Sequence, residues 1–284
     1  MDAIEQVSVI GTGTVRIRPE YVESDGTPIG WWLLTSRRWT APRPINVFVI
    51  EHEQGLVLFD TGQDRRTVTD PTCFPRGTAG LLYSRLARFV IRPEETLAEH
   101  LRALGHDIAD VRLAVLSHLH QDHIDGLPEP GEAEILVWEV EWAGLGRRFP
   151  ELDGLLKRHI QLPGLRWTRV TPPPVDDPSI VPFTAAQDLF GGGSLLLVST
   201  PGHTPGSLSM LLRPPGLPPM LYVGDLTYEV GLLARERVPG VGHRDRLRES
   251  TRAVTTRRKR YPEPLLFAAH DLAVAGALKS ALAR

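Results

Sequence analysis

The sequence predicts a layered mixed α/β domain in which two β-sheets pack against each other. Three observations carry that expectation. Short β-branched or apolar runs recur along the chain, helical patterns lie between some of them, and the runs around Val49 and Val57 follow each other too closely to hold a helix between them. Strict strand and helix alternation would give one parallel sheet, so this early hairpin-like pair favours two sheets.

In chain order, the strand candidates are "VSVI" near residue 8, "NVFVIE" at Asn46, "LVLFDTG" at Leu56, "LAVLSH" at Leu113 and "EILVW" at Glu134. They continue with "SLLLVST" at Ser194, "SLSMLL" at Ser207, "MLYVGD" at Met220 and "PLLFAAH" at Pro264. The clearest helix opens at Pro93-Glu94-Glu95, where proline and acids suit a helix amino terminus, and places Leu97, Leu101 and Leu104 on one face. A second runs from about Asp245 to Arg260 and a third from Ala273 to Leu282. The segments from Asp64 to Gly80 and from Thr171, "TPPPVDDPS", read as surface loops, because proline cannot donate to a sheet ladder. No repeat of fixed period interrupts the chain, and residues 1–284 read as one domain.

Composition agrees with this picture. A chain of 284 residues with 42% hydrophobic content can bury a sizeable core, and a formal charge of −2 gives no electrostatic reason to expect nucleic acid or an anionic membrane as partner. One cysteine, Cys73, excludes both an internal disulfide and a cysteine-based zinc site. The start, "MDAIEQVSVI", shows no basic region ahead of a long apolar core, and no run reaches membrane-spanning length, so a cytoplasmic protein is expected.

The densest chemistry lies in "SHLHQDHIDG" from Ser117. In extended or turn backbone, residues two apart project to the same side, so His118 and His120 can converge on one point while Leu119 turns into the core. Asp122 and His123 follow across a tight turn and can approach a second point nearby. Imidazole and carboxylate donors together suit zinc and similar divalent ions, each needing about four ligands. Further donors follow apolar runs: His203 in "STPGHTPGS", Asp225 in "YVGDLTYE" and His270 in "FAAHD", with Gly202 and Gly224 beside them. Any one of these alone reads as an ordinary histidine or aspartate. Four such groups crowded into one turn are different, because burying them without a cation leaves costly unpaired polar atoms.

HxHxDH, then a later histidine, a Gly-Asp pair and a final histidine, in this order, resembles the metallo-β-lactamase superfamily, from about "LVLFDTG" to "AAHD". The resemblance implies a four-layer αββα sandwich, two mixed sheets flanked by helices, with a dinuclear site at one edge. It implies that His118, His120 and His203 hold a first divalent ion, that Asp122, His123 and His270 hold a second, and that Asp225 bridges them. Zinc is the expected metal, with cobalt, manganese or iron acceptable to the same donors. Asp60 in "FDTG" matches an acidic residue that orients a ligand rather than binding metal. Within the superfamily, Tyr228, three residues after Asp225, resembles the N-acyl-homoserine lactonase branch.

The expected reaction is lactone opening by a hydroxide bridging the two ions, with Tyr228 bonding the substrate carbonyl and Asp122 or Asp225 passing a proton to the leaving oxygen. The expected substrate is an N-acyl-homoserine lactone, which makes the protein a quencher of quorum signals. Thioester, β-lactam and phosphoester hydrolysis share the same metals and stand as alternatives, as does a metal-binding sensor or inactive subunit. The apolar stretch "GTAGLLYSRLARFVI" from Gly77 is expected to form a helix or lid, and with "GWWLL" at Gly30 it offers Leu81, Leu82 and Trp31 for an acyl-chain pocket. The basic run "TTRRKR", Thr255 to Arg260, reads as a solvated helix end and not as a nucleic-acid site. Oligomeric state is open, a homodimer included.

Overall fold

The computed structural model describes residues 3–262 and 264–283; the acidic start at Asp2 falls outside them. Its strands are β1 (Ile4–Ile17), β2 (Arg43–His52), β3 (Gly55–Phe59), β4 (Ala87–Val90), β5 (Val111–Val115) and β6 (Glu134–Trp138). They continue as β7 (Arg166–Val170), β8 (Ala186–Asp188), β9 (Leu195–Ser199), β10 (Leu208–Leu212), β11 (Met220–Tyr222) and β12 (Leu265–Phe267). One sheet has the order β4-β1-β2-β3-β5-β6-β7 and the other β12-β11-β10-β9-β8. Both are mixed: β2 and β3 pair antiparallel while β3, β5 and β6 run parallel, and β10 and β11 pair antiparallel while β11 and β12 run parallel.

Alternation along each strand sorts side chains to two faces, and the inner faces meet in a shared core. Phe48, Phe59 and Val115 of the first sheet pack with Leu197, Met210, Tyr222 and Phe267 of the second. Phe48 stacks on Tyr222 with ring centroids 3.8 Å apart. On the outer face of the first sheet, the helix Leu97–Leu104 buries Leu97 and Leu101 against Val49, Leu58 and Ala114. Each such leucine contributes about 2 kcal/mol of burial. Thr96 Oγ1 caps this helix by accepting from Glu99 N at 3.3 Å, and Gly105, at φ +93°, ends it. On the outer face of the second sheet, the helix Arg244–Arg260 inserts Leu247 and Val254 beside Leu196, Leu211 and Leu221. Helix, sheet, sheet and helix make the four layers of an αββα sandwich.

Every strand candidate read from the sequence lies in an observed strand, whereas β4, β7 and β8 were not anticipated. The stretch from Gly77 is not one helix: it forms the helix Gly77–Leu86 and then turns into β4, which pairs with the end of β1. The helix at Pro93 also divides, into a single 3-10 turn at Pro93–Glu95 and the α-helix that follows. The basic run closes the helix Arg244–Arg260, but Arg257 is buried and donates to the Ser179 carbonyl, so that end is only partly solvated. Among the described residues, no helix is long and apolar enough to cross a membrane.

Candidate metal centre

The parallel relation of β3 to β5, and of β11 to β12, sends their carboxyl ends to the same edge of the sandwich. The loops leaving those ends carry the polar side chains that converge there. Asp60 follows β3, His118 to His123 follow β5, His203 follows β9, Asp225 follows β11 and His270 follows β12. Leu119 turns into the core, fully buried, while the histidines on either side face the edge.

His120 Nδ1 lies 3.1 Å from His118 Nε2 and 3.0 Å from His203 Nε2, so three ring nitrogens face one point. A second point is enclosed by Asp122, His123 and His270: Asp122 Oδ2 is 3.4 Å from His270 Nε2, and Asp122 Oδ1 is 3.9 Å from His123 Nε2. Asp225 stands between the two groups. Its Oδ2 is 3.5 Å from His203 Nε2, and its Oδ1 is 3.4 Å from both His123 Nε2 and His270 Nε2. All seven residues named from the sequence are therefore brought together.

Three of the five imidazoles are oriented from behind by a carboxylate or a carbonyl. His123 Nδ1 is 2.8 Å from Asp60 Oδ2, His270 Nδ1 is 2.9 Å from the Pro44 carbonyl, and His120 Nε2 is 3.0 Å from the Asp153 carbonyl. Acceptors at those positions take the ring proton and leave the other nitrogen as a lone-pair donor aimed into the cluster. His123 Nε2, His270 Nε2 and Asp225 Oδ1 are buried without a hydrogen-bond partner among the described residues. Such orphaned donors, aimed at one another, fit divalent cations between them.

Electrostatics divide the imidazoles: burial opposes charge on His123 and His270, but the carboxylates of Asp60 and Asp225 beside the first, and of Asp225 and Asp122 beside the second, raise both, so a cation there must displace a proton. Burial holds the His203 imidazole down at about 3 and pushes His118 well below its usual range, so both are neutral, the form that binds a cation. Burial opposes ionisation of Asp225, yet His270 and His123 beside it hold its carboxyl well below the usual range.

Asp60 is the acidic residue expected to orient a ligand, and it does more than touch His123. At φ +63° its backbone occupies the left-handed region, unusual for a residue other than glycine. That turn lets Oδ1 accept from Ser117 N at 2.7 Å and Oδ2 from Ser117 Oγ at 2.9 Å, which fixes the start of the histidine motif. Asp125 closes the one-turn helix Gln121–Ile124, and its buried carboxylate pairs with His159 Nδ1 at 2.6 Å.

The cluster opens onto a cavity of about 940 Å³ whose wall includes His120, Asp122, His203, Tyr228 and His270. Tyr228 is buried, stacked on His270 at 5.4 Å and 9°, and its hydroxyl donates to Asp225 Oδ2 at 2.6 Å. Beyond it one stretch of the wall is apolar, with Val15, Ile17, Ile29, Phe74, Leu86 and Phe89, and another is polar, with Arg147, Asp153 and Arg246. The lining contributed by the helix Gly77–Leu86 is Gly80, Tyr83, Ser84 and Leu86, not Leu81, which is 60% exposed, nor Leu82. Trp31 is likewise 66% exposed and Trp32 is buried away from the cavity, so Ile29 is the lining residue of that segment. Tyr21, on the helix Pro19–Val22, also lines the cavity, and no pattern in "RPEYV" announces it.

Residues 40–270 match the metallo-beta-lactamase superfamily. The chain is 32% identical over 199 residues to the N-acyl homoserine lactonase AttM of Azorhizobium caulinodans, covering 69% of this chain and 70% of that one. It is also 32% identical over 245 residues to a probable metallo-hydrolase of Mycobacterium tuberculosis, covering 80% and 74%. The structure of an N-acyl homoserine lactone hydrolase with N-hexanoyl-L-homoserine at its catalytic metal centre superposes with a TM-score of 0.76 at 21% identity, covering 97% of this chain and 96% of that one. Sequence match, αββα layers and the seven converging donors agree: the chain belongs to the metallo-beta-lactamase superfamily.

Proposed function

We propose that the protein opens the ring of N-acyl-homoserine lactones and so quenches quorum signals, with two divalent ions as its cofactors. In this reading His118, His120 and His203 would hold one ion, Asp122, His123 and His270 would hold the other, and Asp225, standing between the two groups, would serve both. Zinc is the metal that such mixed imidazole and carboxylate sets most often hold. When bound, the ions supply a nucleophile at neutral pH and polarise the ester carbonyl.

The chain's own groups do the rest. The observation that carries the reading is the place of Tyr228, whose hydroxyl stands at the junction of the donor cluster and an apolar cavity. From there it can donate to the carbonyl oxygen as negative charge develops on it, a role worth more in a water-poor site than in solvent. Asp225, buried, and Asp122, half-buried, both lie among imidazoles and can carry the proton that the departing ring oxygen takes up. The apolar wall receives the acyl chain, and about 940 Å³ is room for a drug-sized ligand. As a soluble-substrate enzyme, it is read as working in the cytoplasm.

The test combines elemental analysis with turnover. Purified protein should carry two equivalents of divalent metal and hydrolyse N-hexanoyl-homoserine lactone, lose that activity to a chelator and regain it with zinc. Faster turnover of a thioester, a β-lactam or a phosphodiester in the same panel would overturn the substrate assignment. One iron per chain would overturn the dinuclear reading.

A further inference from the structure

Tyr21 enters the cavity from an element that gives no side chain to the donor cluster, the helix Pro19–Val22. Its ring is clamped edge-on between Trp32, at 6.2 Å and 70°, and Tyr228, at 5.4 Å and 88°. Its backbone is pinned as well, since Gly240 N donates to the Tyr21 carbonyl at 3.1 Å. A clamped ring presents its hydroxyl at a fixed place. That hydroxyl meets the Tyr228 hydroxyl, whose own proton goes to Asp225, so Tyr21 is the donor of the pair.

Three other polar side chains of the wall are engaged with backbone. Tyr83 donates to the Glu151 carbonyl at 3.0 Å, Ser84 to the Leu81 carbonyl at 2.8 Å and Gln121 to the Gly154 carbonyl at 2.6 Å. Tyr21 differs, because its hydroxyl faces another phenol and not backbone, a partner whose place a substrate carbonyl can take. It stands between the donor cluster and the apolar stretch formed by Val15, Ile17 and Phe89.

We infer that the Tyr21 hydroxyl donates to the amide carbonyl of the substrate and sets a preference for N-acylated lactones over alkyl lactones. The inference rests on the lactonase reading. In an N-acyl-homoserine lactone the amide nitrogen sits on the carbon next to the ester carbonyl, so the two carbonyls are a few bonds apart. Two phenols with ring centroids 5.4 Å apart suit such a pair, Tyr228 at the ester and Tyr21 at the amide. The acyl chain then leaves the amide directly into the apolar stretch.

The chemistry separates this role from one exerted through Tyr228. Ring opening changes the ester and leaves the amide untouched, so a bond to the amide is equally strong before and during reaction. Such uniform binding lowers KM and leaves kcat alone. A residue acting only by positioning Tyr228 would change kcat, and would do so for every lactone.

The test compares wild type and Tyr21→Phe, both metal-loaded, on N-hexanoyl-homoserine lactone and on an alkyl γ-lactone of equal carbon count. Phenylalanine keeps the ring and its packing on Trp32 and Tyr228, and matching melting temperatures would verify that. The expected result is a KM for the N-acyl substrate raised about fivefold to tenfold, the size of one lost hydrogen bond. Its kcat should stay within about twofold, and the alkyl lactone should be unaffected. An equal loss of kcat on both substrates, or no change on either, would overturn the inference. Wild type that hydrolyses neither lactone would instead overturn the lactonase reading, which the variant comparison keeps distinct.

Discussion

Asp60 Oδ2 accepts a hydrogen bond from His123 Nδ1 at 2.8 Å, with both side chains almost wholly buried. Asp60 thus decides which nitrogen of His123 is free to face Asp225 and Asp122. Replacing it by asparagine keeps the size but lets the amide present a donor where an acceptor is needed, and it removes the charge behind the ring. Metal affinity should fall by about 10-fold to 100-fold, the usual cost of losing such a partner. A competition titration against a chromophoric chelator would measure it; unchanged affinity for both equivalents would show that Asp60 serves only the fold.

Gly154 holds the other end of the site. At φ +82° it lies so close to His120 that an added Cβ would sit 2.5 Å from Cδ2 and 2.6 Å from Nε2 of that ring. Gly154→Ala must therefore displace His120, which also loses its bond to the Asp153 carbonyl. Occupancy of the first ion should drop while Asp122, His123 and His270 keep theirs, and metal per chain should fall towards one equivalent after dialysis. Two equivalents retained after dialysis would mean that the loop, not the ring, gives way.

These two residues show what a sequence can and cannot reveal here. His118, His120, Asp122 and His123 are legible because the ligand types are contiguous and period-two geometry makes two of them converge. His203, Asp225 and His270 are legible because each follows an apolar run, and strand ends collect at one edge. Asp60 in "FDTG" is legible only through the superfamily resemblance, and its left-handed backbone is not legible at all. The lining of the cavity was misplaced because an apolar side chain near a site reads alike whether it faces the cavity or solvent: Leu81 and Trp31 point outward, and Phe74, Phe89 and Ile29 line the wall instead. Strands β7 and β8 escaped notice because "RWTRV" is a charged edge strand and "AQD" is three residues long, both too polar or too short for a period to show.

Tyr228 is predicted to act on the rate. Burial and the charge of Asp225 keep its phenol well above the ordinary range, so it remains a donor throughout the working pH. Tyr228→Phe should lower kcat for an N-acyl-homoserine lactone by about 100-fold, as expected for one donor to a developing oxyanion, with KM little changed. Steady-state kinetics of the metal-loaded variant would settle it; near-normal turnover would remove Tyr228 from the mechanism.

His159 carries the last prediction, which concerns stability rather than rate. Its Nδ1 meets Asp125 Oδ1 at 2.6 Å and its Nε2 meets the Cys73 carbonyl at 2.8 Å, so both nitrogens face acceptors and the ring is an imidazolium. Burial alone would lower its pKa, but the bonds to Asp125 and Cys73 prevail and push it up to about 10 from 6.5. Burial raises the Asp125 carboxyl above its ordinary value, and the bond and charge of His159 oppose that rise. Since Phe74 adjoins Cys73 and lines the cavity, the pair ties a loop of the cavity wall to the end of the histidine motif. His159→Gln leaves Asp125 buried without its counter-charge and should cost about 3 kcal/mol near pH 6. The sign of the pH dependence follows from the raised value: the folded protein binds a proton that the unfolded chain releases above about 6.5, so the stabilisation is complete below that pH. It then declines as the pH rises and is gone above about 10. Urea midpoints for wild type and variant should therefore converge between pH 6.5 and 10. A gap that stays constant over that range would mean that His159 is held neutral and stabilises by packing alone.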